Sequence, residues 1–161
     1  MCVIKIEEVT TRTLPQLAAA LRALSADLGD THRAGDETLR TALFGAHRSC
    51  HAILAFDDNR DDALGAALFS PMFSTTFGTA GTYVSDLWVC EAARGQALGA
   101  RLLNDVRQRS ANLWGAVYIS LVSYDSNDRA LAFYRKLGFE TQRGETRLIR
   151  ATGRTSGSED P

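Results

Sequence analysis

Residues 93–102 read ARGQALGARL. Small residues at Gly95, Ala97, Gly99 and Ala100 let the backbone come close to a ligand. Leu98, Leu102, Leu103 and Val106 then recur at helical spacing, so the loop opens a helix. The first N–H groups of a helix have no partner within it, and the helix dipole is positive there. A phosphate satisfies both. Arg94 and Arg101 add positive charge. The pattern is neither a P-loop, G-x-x-x-x-G-K-S/T, nor a dinucleotide fingerprint, G-x-G-x-x-G. Where a second glycine is most wanted, the chain has Ala97. Glycine is required only where φ is positive or a Cβ strikes the ligand. Alanine is therefore expected at a position that already has helical dihedrals.

Asp86 is the next candidate. It lies in the apolar stretch YVSDLWV, where alternation puts it beside Trp88 and opposite Leu87. A carboxylate there is costly without a partner or a task. It could bind a cationic group, take a proton through water, or bond to nearby backbone or an arginine. His47 and His51 lie four apart with Cys50 between them, but no second cluster supplies further ligands, so no metal is expected. Cys90 adjoins the loop. All three histidines precede residue 52, so no base accompanies that thiol and covalent catalysis is not expected.

These residues need elements to place them. Residues 3–9 alternate and are β-branched, as in a strand. Thr13 and Gln16 form a capping-box pattern, Pro15 sits in a first turn, and Leu14, Leu17, Leu21 and Leu24 share one helical face. A short helix is expected from Asp36, with Leu39 and Leu43 inward. Strands are expected over 50–58 and 64–77, with Pro71 marking a bulge or an edge and Gly78 to Gly81 the next turn. Residues 82–90 are the most strand-like of all, and the helix after the loop runs to about Ala111. The apolar run 116–123 reads as a central strand buried on both faces. Ser126 or Asn127 caps a helix that stops at Gly138, residues 145–152 close as a last strand, and a short strand fits after Phe139. The fold class is α+β (mixed α/β), with one central, mixed, twisted sheet of six to seven strands and helices on both faces.

The chain has 161 residues, 45% of them hydrophobic, which is enough for one domain over 1–151. Residues 152–161 are polar and are expected to lie outside the fold as a disordered tail. A net charge of −1 argues against a nucleic-acid partner, and the N-terminal stretch has no apolar run of membrane or signal length. Three unpaired cysteines suit a reducing cytoplasm.

Three blocks together resemble the GNAT N-acetyltransferase superfamily. Its pyrophosphate loop reads Gln/Arg-x-x-Gly-x-Gly/Ala, occupied here by Arg94, Gly95, Gln96, Ala97, Leu98 and Gly99. YVSDLWVCEAARG resembles the strand and entry turn before that loop. YDSNDRALAFYRKLGFE resembles the later signature, in which an asparagine precedes a helix that ends in FYxKxGF. The blocks follow in order over residues 82–140.

The resemblance implies acetyl-CoA as co-substrate, no metal, and direct acetyl transfer to a primary amine. It implies that the loop from Arg94 to Ala100 holds the CoA pyrophosphate. It places Tyr134 as the general acid for the leaving thiolate, or as a positioner of CoA, while the residue also packs as an aromatic partner of Phe133. Asn127 matches the asparagine that touches the pantetheine arm, besides serving as a cap. Leu87 and Val89 match positions that offer backbone groups to pantetheine, with side chains that can be core. The Val89 amide is the candidate for polarising the thioester carbonyl. Asp86 matches an acidic residue of the diamine (polyamine) branch, whose preceding acid is Ser85 here. The implied partner is a small amine, polyamine-like first, with an amino acid, an aminoglycoside or a protein N-terminus as alternatives. A homodimer is implied as well. The alternative from another class is a non-catalytic acyl-CoA-binding or sensing module, against which Tyr134, Asn127 and Asp86 speak.

Overall fold

A computed structural model describes residues 3–58 and 61–152. Cys2 and residues 153–161 of the expected tail lie outside the described residues. The chain divides into two compact units, Met1–Leu121 and Val122–Pro161.

The first unit runs β1 (Ile4–Glu8), α1 (Leu14–Leu28), α2 (Asp36–Phe44), β2 (His51–Asp57), β3 (Gly65–Ser74), β4 (Thr79–Val89), a 3₁₀ turn (Glu91–Ala93), α3 (Leu98–Trp114) and β5 (Ile119–Leu121). The strands form one sheet in the order β1-β2-β3-β4-β5. The first three pairings are antiparallel and β5 runs parallel to β4. Alternation along the strands divides their side chains between two helical layers. Ala52, Leu54 and Ala66 join Leu14, Leu17 and Leu21 of α1 and Leu39 and Leu43 of α2 in one core. On the other face His51 and Phe69 stack on each other and meet Trp114 of α3 with tilted rings. Gly65 lies so close to α3 that a Cβ there would stand 2.8 Å from Leu102 Cδ1. Helices thus cover both faces, as the sequence implied.

The strand count is lower than expected: five strands, not six to seven, form among the described residues. The run 116–123 yields only β5, at the end of the strand order, and Val117 is 72% exposed. Most of the run's apolar residues, Ala116, Val117, Tyr118 and Val122, lie outside that three-residue strand. Residues 145–152 form no strand, and Leu148 and Ile149 are exposed. Two adjacent apolar residues between arginines supply no row on a single face. No strand follows Phe139 among the described residues. The Thr13–Gln16 box does not form either, because Thr13 Oγ1 accepts the Thr10 amide at 2.9 Å and caps nothing. Pro71 lies past the end of the β2 pairing, where its missing N–H costs no ladder bond on that side. Gly78 makes the turn with φ of 68°, whereas Gly81 lies inside β4 under the ring of Tyr118.

The second unit holds α4 (Asp128–Lys136). Asn127 caps it, its side-chain oxygen accepting the Ala130 amide at 3.1 Å. Gly138 follows with φ of 88°, the left-handed stop expected for a glycine past a helix end.

Candidate active site

β4 carries the first part of the site. Its pairing with β5 covers only Thr82, Tyr83 and Val84. Beyond Val84 the strand continues against β3 alone, with no second strand partner among the described residues. The register shifts at this point, since Leu68 pairs with Asp86 and Phe69 with Val84. Ser85 is the extra residue of a bulge, and its hydroxyl donates to the Leu68 carbonyl at 3.3 Å. Bulges re-aim strands and end pairing. Residues 85–89, which include Leu87 and Val89, thus present a backbone edge with no strand partner among the described residues, on which the Val89 carbonyl accepts from Arg94.

Asp86 lies across from Leu68, and both Leu68 and Trp88 pack on the α1–α2 core. Paired residues share a face, so Asp86 points to the same side as Trp88, as alternation suggested. Burial pushes its carboxyl above the ordinary aspartate value, opposed by the Ser85 hydrogen bond and the charge of His32. Those two groups, rather than an arginine, are what draw it back. Cys50 shares this neighbourhood. Burial raises its thiol, and the Asp86 charge adds to that rise.

The loop follows at the end of β4. Gly95 and Ala97 both have positive φ, 77° and 60°. Ala97 is therefore left-handed and not helical, contrary to the reading that made alanine acceptable there. It is the one non-glycine residue of positive φ among those described. α3 begins at Leu98 with no capping side chain and no acid in its first turn. α2, by contrast, starts with Asp36 and Glu37, and α4 with Asp128. The amides that open α3, with Gly99 and Ala100 in its first turn, thus have neither a capping side chain nor an acid of that turn to meet them. A Cβ on Gly95 would meet nothing within 4 Å, so open space adjoins this backbone.

The loop's polar side chains turn away from that role. Arg94 Nε donates to the Val89 carbonyl at 2.9 Å and Nη2 to Asp27 Oδ2 at 2.5 Å. Gln96 Nε2 donates to the Ala92 carbonyl at 2.9 Å. Arg101 Nη2 donates to the Ile4 carbonyl at 2.8 Å, over β1. The positive charge expected from Arg94 and Arg101 is committed to protein acceptors. What remains for an anion is the helix opening itself.

Asp27 is a residue that sequence reasoning passed over. It takes the Trp88 indole N–H at 3.2 Å as well as Arg94. A signal was present: an acid in the last turn of a helix sits against the negative end of the dipole and needs a cation.

In the second unit, Tyr134 is half-buried, with Phe133 at 5.2 Å and Phe139 at 5.5 Å between ring centroids. Burial raises its phenol, so the hydroxyl keeps its proton at neutral pH. His51 is an aromatic partner of Phe69 and Trp114, and burial lowers its imidazole. Among the described residues no three His, Cys, Asp or Glu side chains gather as a metal site would require.

Residues 17–139 match the model of the acetyltransferase (GNAT) family, and the chain belongs to that family. A D-amino-acid N-acetyltransferase of Saccharomyces cerevisiae is 31% identical over 90 residues, which is 56% of this chain and 55% of that protein. The chain thus spans about half the length of this curated relative. Among solved structures, an aminoglycoside acetyltransferase from an uncultured soil metagenomic sample, in complex with sisomicin, superposes with a TM-score of 0.74 at 18% identity over 93% of this chain and 97% of that one. The aminoglycoside N-acetyltransferase AAC(6′)-Iy in complex with CoA gives 0.76 at 14% identity over 95% and 97%. An integron cassette protein of Vibrio cholerae gives 0.72 at 22% identity over 93% of each chain. These three establish a shared fold.

Proposed function

We propose that the protein moves an acetyl group from acetyl-CoA directly to the primary amine of a small cationic acceptor. One observation carries this reading: β4 parts from β5 after Val84 and leads into an uncapped, acid-free helix opening at Leu98. The opening fits a pyrophosphate, and the Leu87 backbone and the Val89 amide, on the edge without a strand partner, fit the amide-bearing pantetheine arm. Asn127, already a cap, is assigned to the same arm by the family pattern.

The reaction needs a neutral amine, a polarised thioester carbonyl and a protonated leaving thiolate. Asp86 anchors the acceptor's ammonium and takes its proton through water, a role suited to a carboxyl whose value burial has raised. The amine then attacks the thioester carbonyl, whose oxygen the Val89 amide polarises. The C–S bond breaks, Tyr134 gives its proton to the departing sulfur, and the proton that the acetylated nitrogen sheds returns through water to the phenolate. A phenol kept protonated by burial can serve as that donor.

The acceptor proposed first is polyamine-like, because Asp86 is a partly buried carboxylate on the same face as Trp88 near the end of β4. An aminoglycoside or a D-amino acid is the second reading, favoured by the named relatives. A homodimer and a cytoplasmic location complete the proposal, and light scattering tests the first of these. Steady-state acetyl-CoA consumption over polyamines, aminoglycosides, D- and L-amino acids and peptides tests the activity. Turnover of a diamine is the expected result. Turnover of another amine alone moves the acceptor, and CoA binding without any turnover makes the protein a non-catalytic binder.

A further inference from the structure

We propose that Asp27 is a positioning residue for the anion-binding loop, holding Arg94 as a latch so that the loop presents backbone amides rather than a guanidinium. The proposal rests on the reading that this loop holds the CoA pyrophosphate. One carboxylate oxygen, Asp27 Oδ2, takes both the Trp88 indole N–H at 3.2 Å and Arg94 Nη2 at 2.5 Å. Arg94 Nε meanwhile donates to the Val89 carbonyl at 2.9 Å. The planar guanidinium is thus engaged along one edge by acceptors from two elements, the last turn of α1 and the end of β4. The last turn of α1 is thereby fixed to the end of β4, more than 60 positions away in sequence, and the loop begins there.

Two electrostatic consequences follow. The carboxylate sits at the negative end of α1, where it is unfavourable alone, and Arg94 compensates it. The Val89 carbonyl adjoins the loop and would repel an anion, and Arg94 Nε covers it. The guanidinium therefore favours anion binding without touching the anion. The side chains of Arg94 and Asp27 are 29% and 45% exposed. A pair this wet adds little to global stability, so loss of CoA binding on breaking it does not reflect unfolding.

Calorimetric CoA titration and thermal melts of wild type, Asp27→Asn, Arg94→Ala and the double variant test the latch. Asparagine is nearly isosteric, and its carbonyl still accepts from Trp88. Each single change is expected to weaken CoA about fivefold, and the double change by the same factor of about five rather than its square, because both remove one device. Melts should move little. Tighter or unchanged binding by Asp27→Asn, beside weaker binding by Arg94→Ala, overturns the proposal, since Arg94 is then the phosphate's own counter-charge and Asp27 its competitor. Multiplying effects in the double variant overturn it too. Wild-type protein that binds no CoA overturns the CoA reading and the latch together. Intact wild-type binding with unaffected variants overturns the latch alone.

Discussion

Replacing Ala97 by glycine should stabilise the protein. Ala97 has φ of 60° and ψ of 11°, in the left-handed region. A residue with a Cβ there is strained by roughly 1–2 kcal/mol, which glycine does not suffer. Glycine also gives the unfolded chain more freedom, worth about 0.4–1 kcal/mol against folding. The difference favours glycine by roughly 0.5–1 kcal/mol. For a chain of 161 residues, at about 2–4 °C per kcal/mol, Tm should rise about 2 °C. Gly95→Ala is the mirror image, since φ is 77° and nothing lies within 4 Å of a new Cβ. It should lower Tm by a similar amount through backbone strain alone. Differential scanning calorimetry of the three proteins reads both shifts, and CoA titration should find Ala97→Gly binding at least as tightly as wild type. Were residue 97 helical, glycine would instead cost about 1 kcal/mol. A Tm that falls by 2 °C or more in Ala97→Gly would refute the left-handed loop and the cradle built on it.

Tyr134→Phe keeps the ring contacts with Phe133 and Phe139 and removes the hydroxyl. Its kcat should fall about tenfold or more, roughly 1.4 kcal/mol of transition-state stabilisation, with CoA affinity unchanged; an unchanged single-turnover rate removes the acid role. For Asp86, burial raises the folded carboxyl above its unfolded value, so proton-linked stability is full below about pH 4 and is lost as pH rises through the raised value. Asp86→Asn should therefore melt higher than wild type near neutrality, with the gap closing below about pH 4, while the acceptor's KM rises. A gap independent of pH speaks against a buried, titrating carboxyl. Gly81→Ala would put a Cβ 2.2 to 2.5 Å from three Tyr118 ring atoms, so denaturant unfolding should show a loss of about 1–3 kcal/mol.

Local signals were legible in the sequence because the forces behind them act over a few residues. The apolar spacing of α1 and α3, the Asn127 cap, the Gly138 stop and the small residues of the loop all belong to this kind. The family pattern over residues 82–140 is built from them. Tertiary structure decided the rest. Ala97 is left-handed because the strand end, the 3₁₀ turn and α3 must join there, which no propensity scale records. Ser85 became a bulge only through the register of β3 against β4. The apolar run 116–123 could not reveal whether its strand would lie in the middle or at the end of the sheet, since that depends on which edge α3 returns it to. Arg94 looked like a phosphate ligand, yet its carboxylate partner is 67 positions away on α1. Spacing along the chain predicts which residues can face the same way. Which distant group an arginine finds there is set by how the helices pack on the sheet.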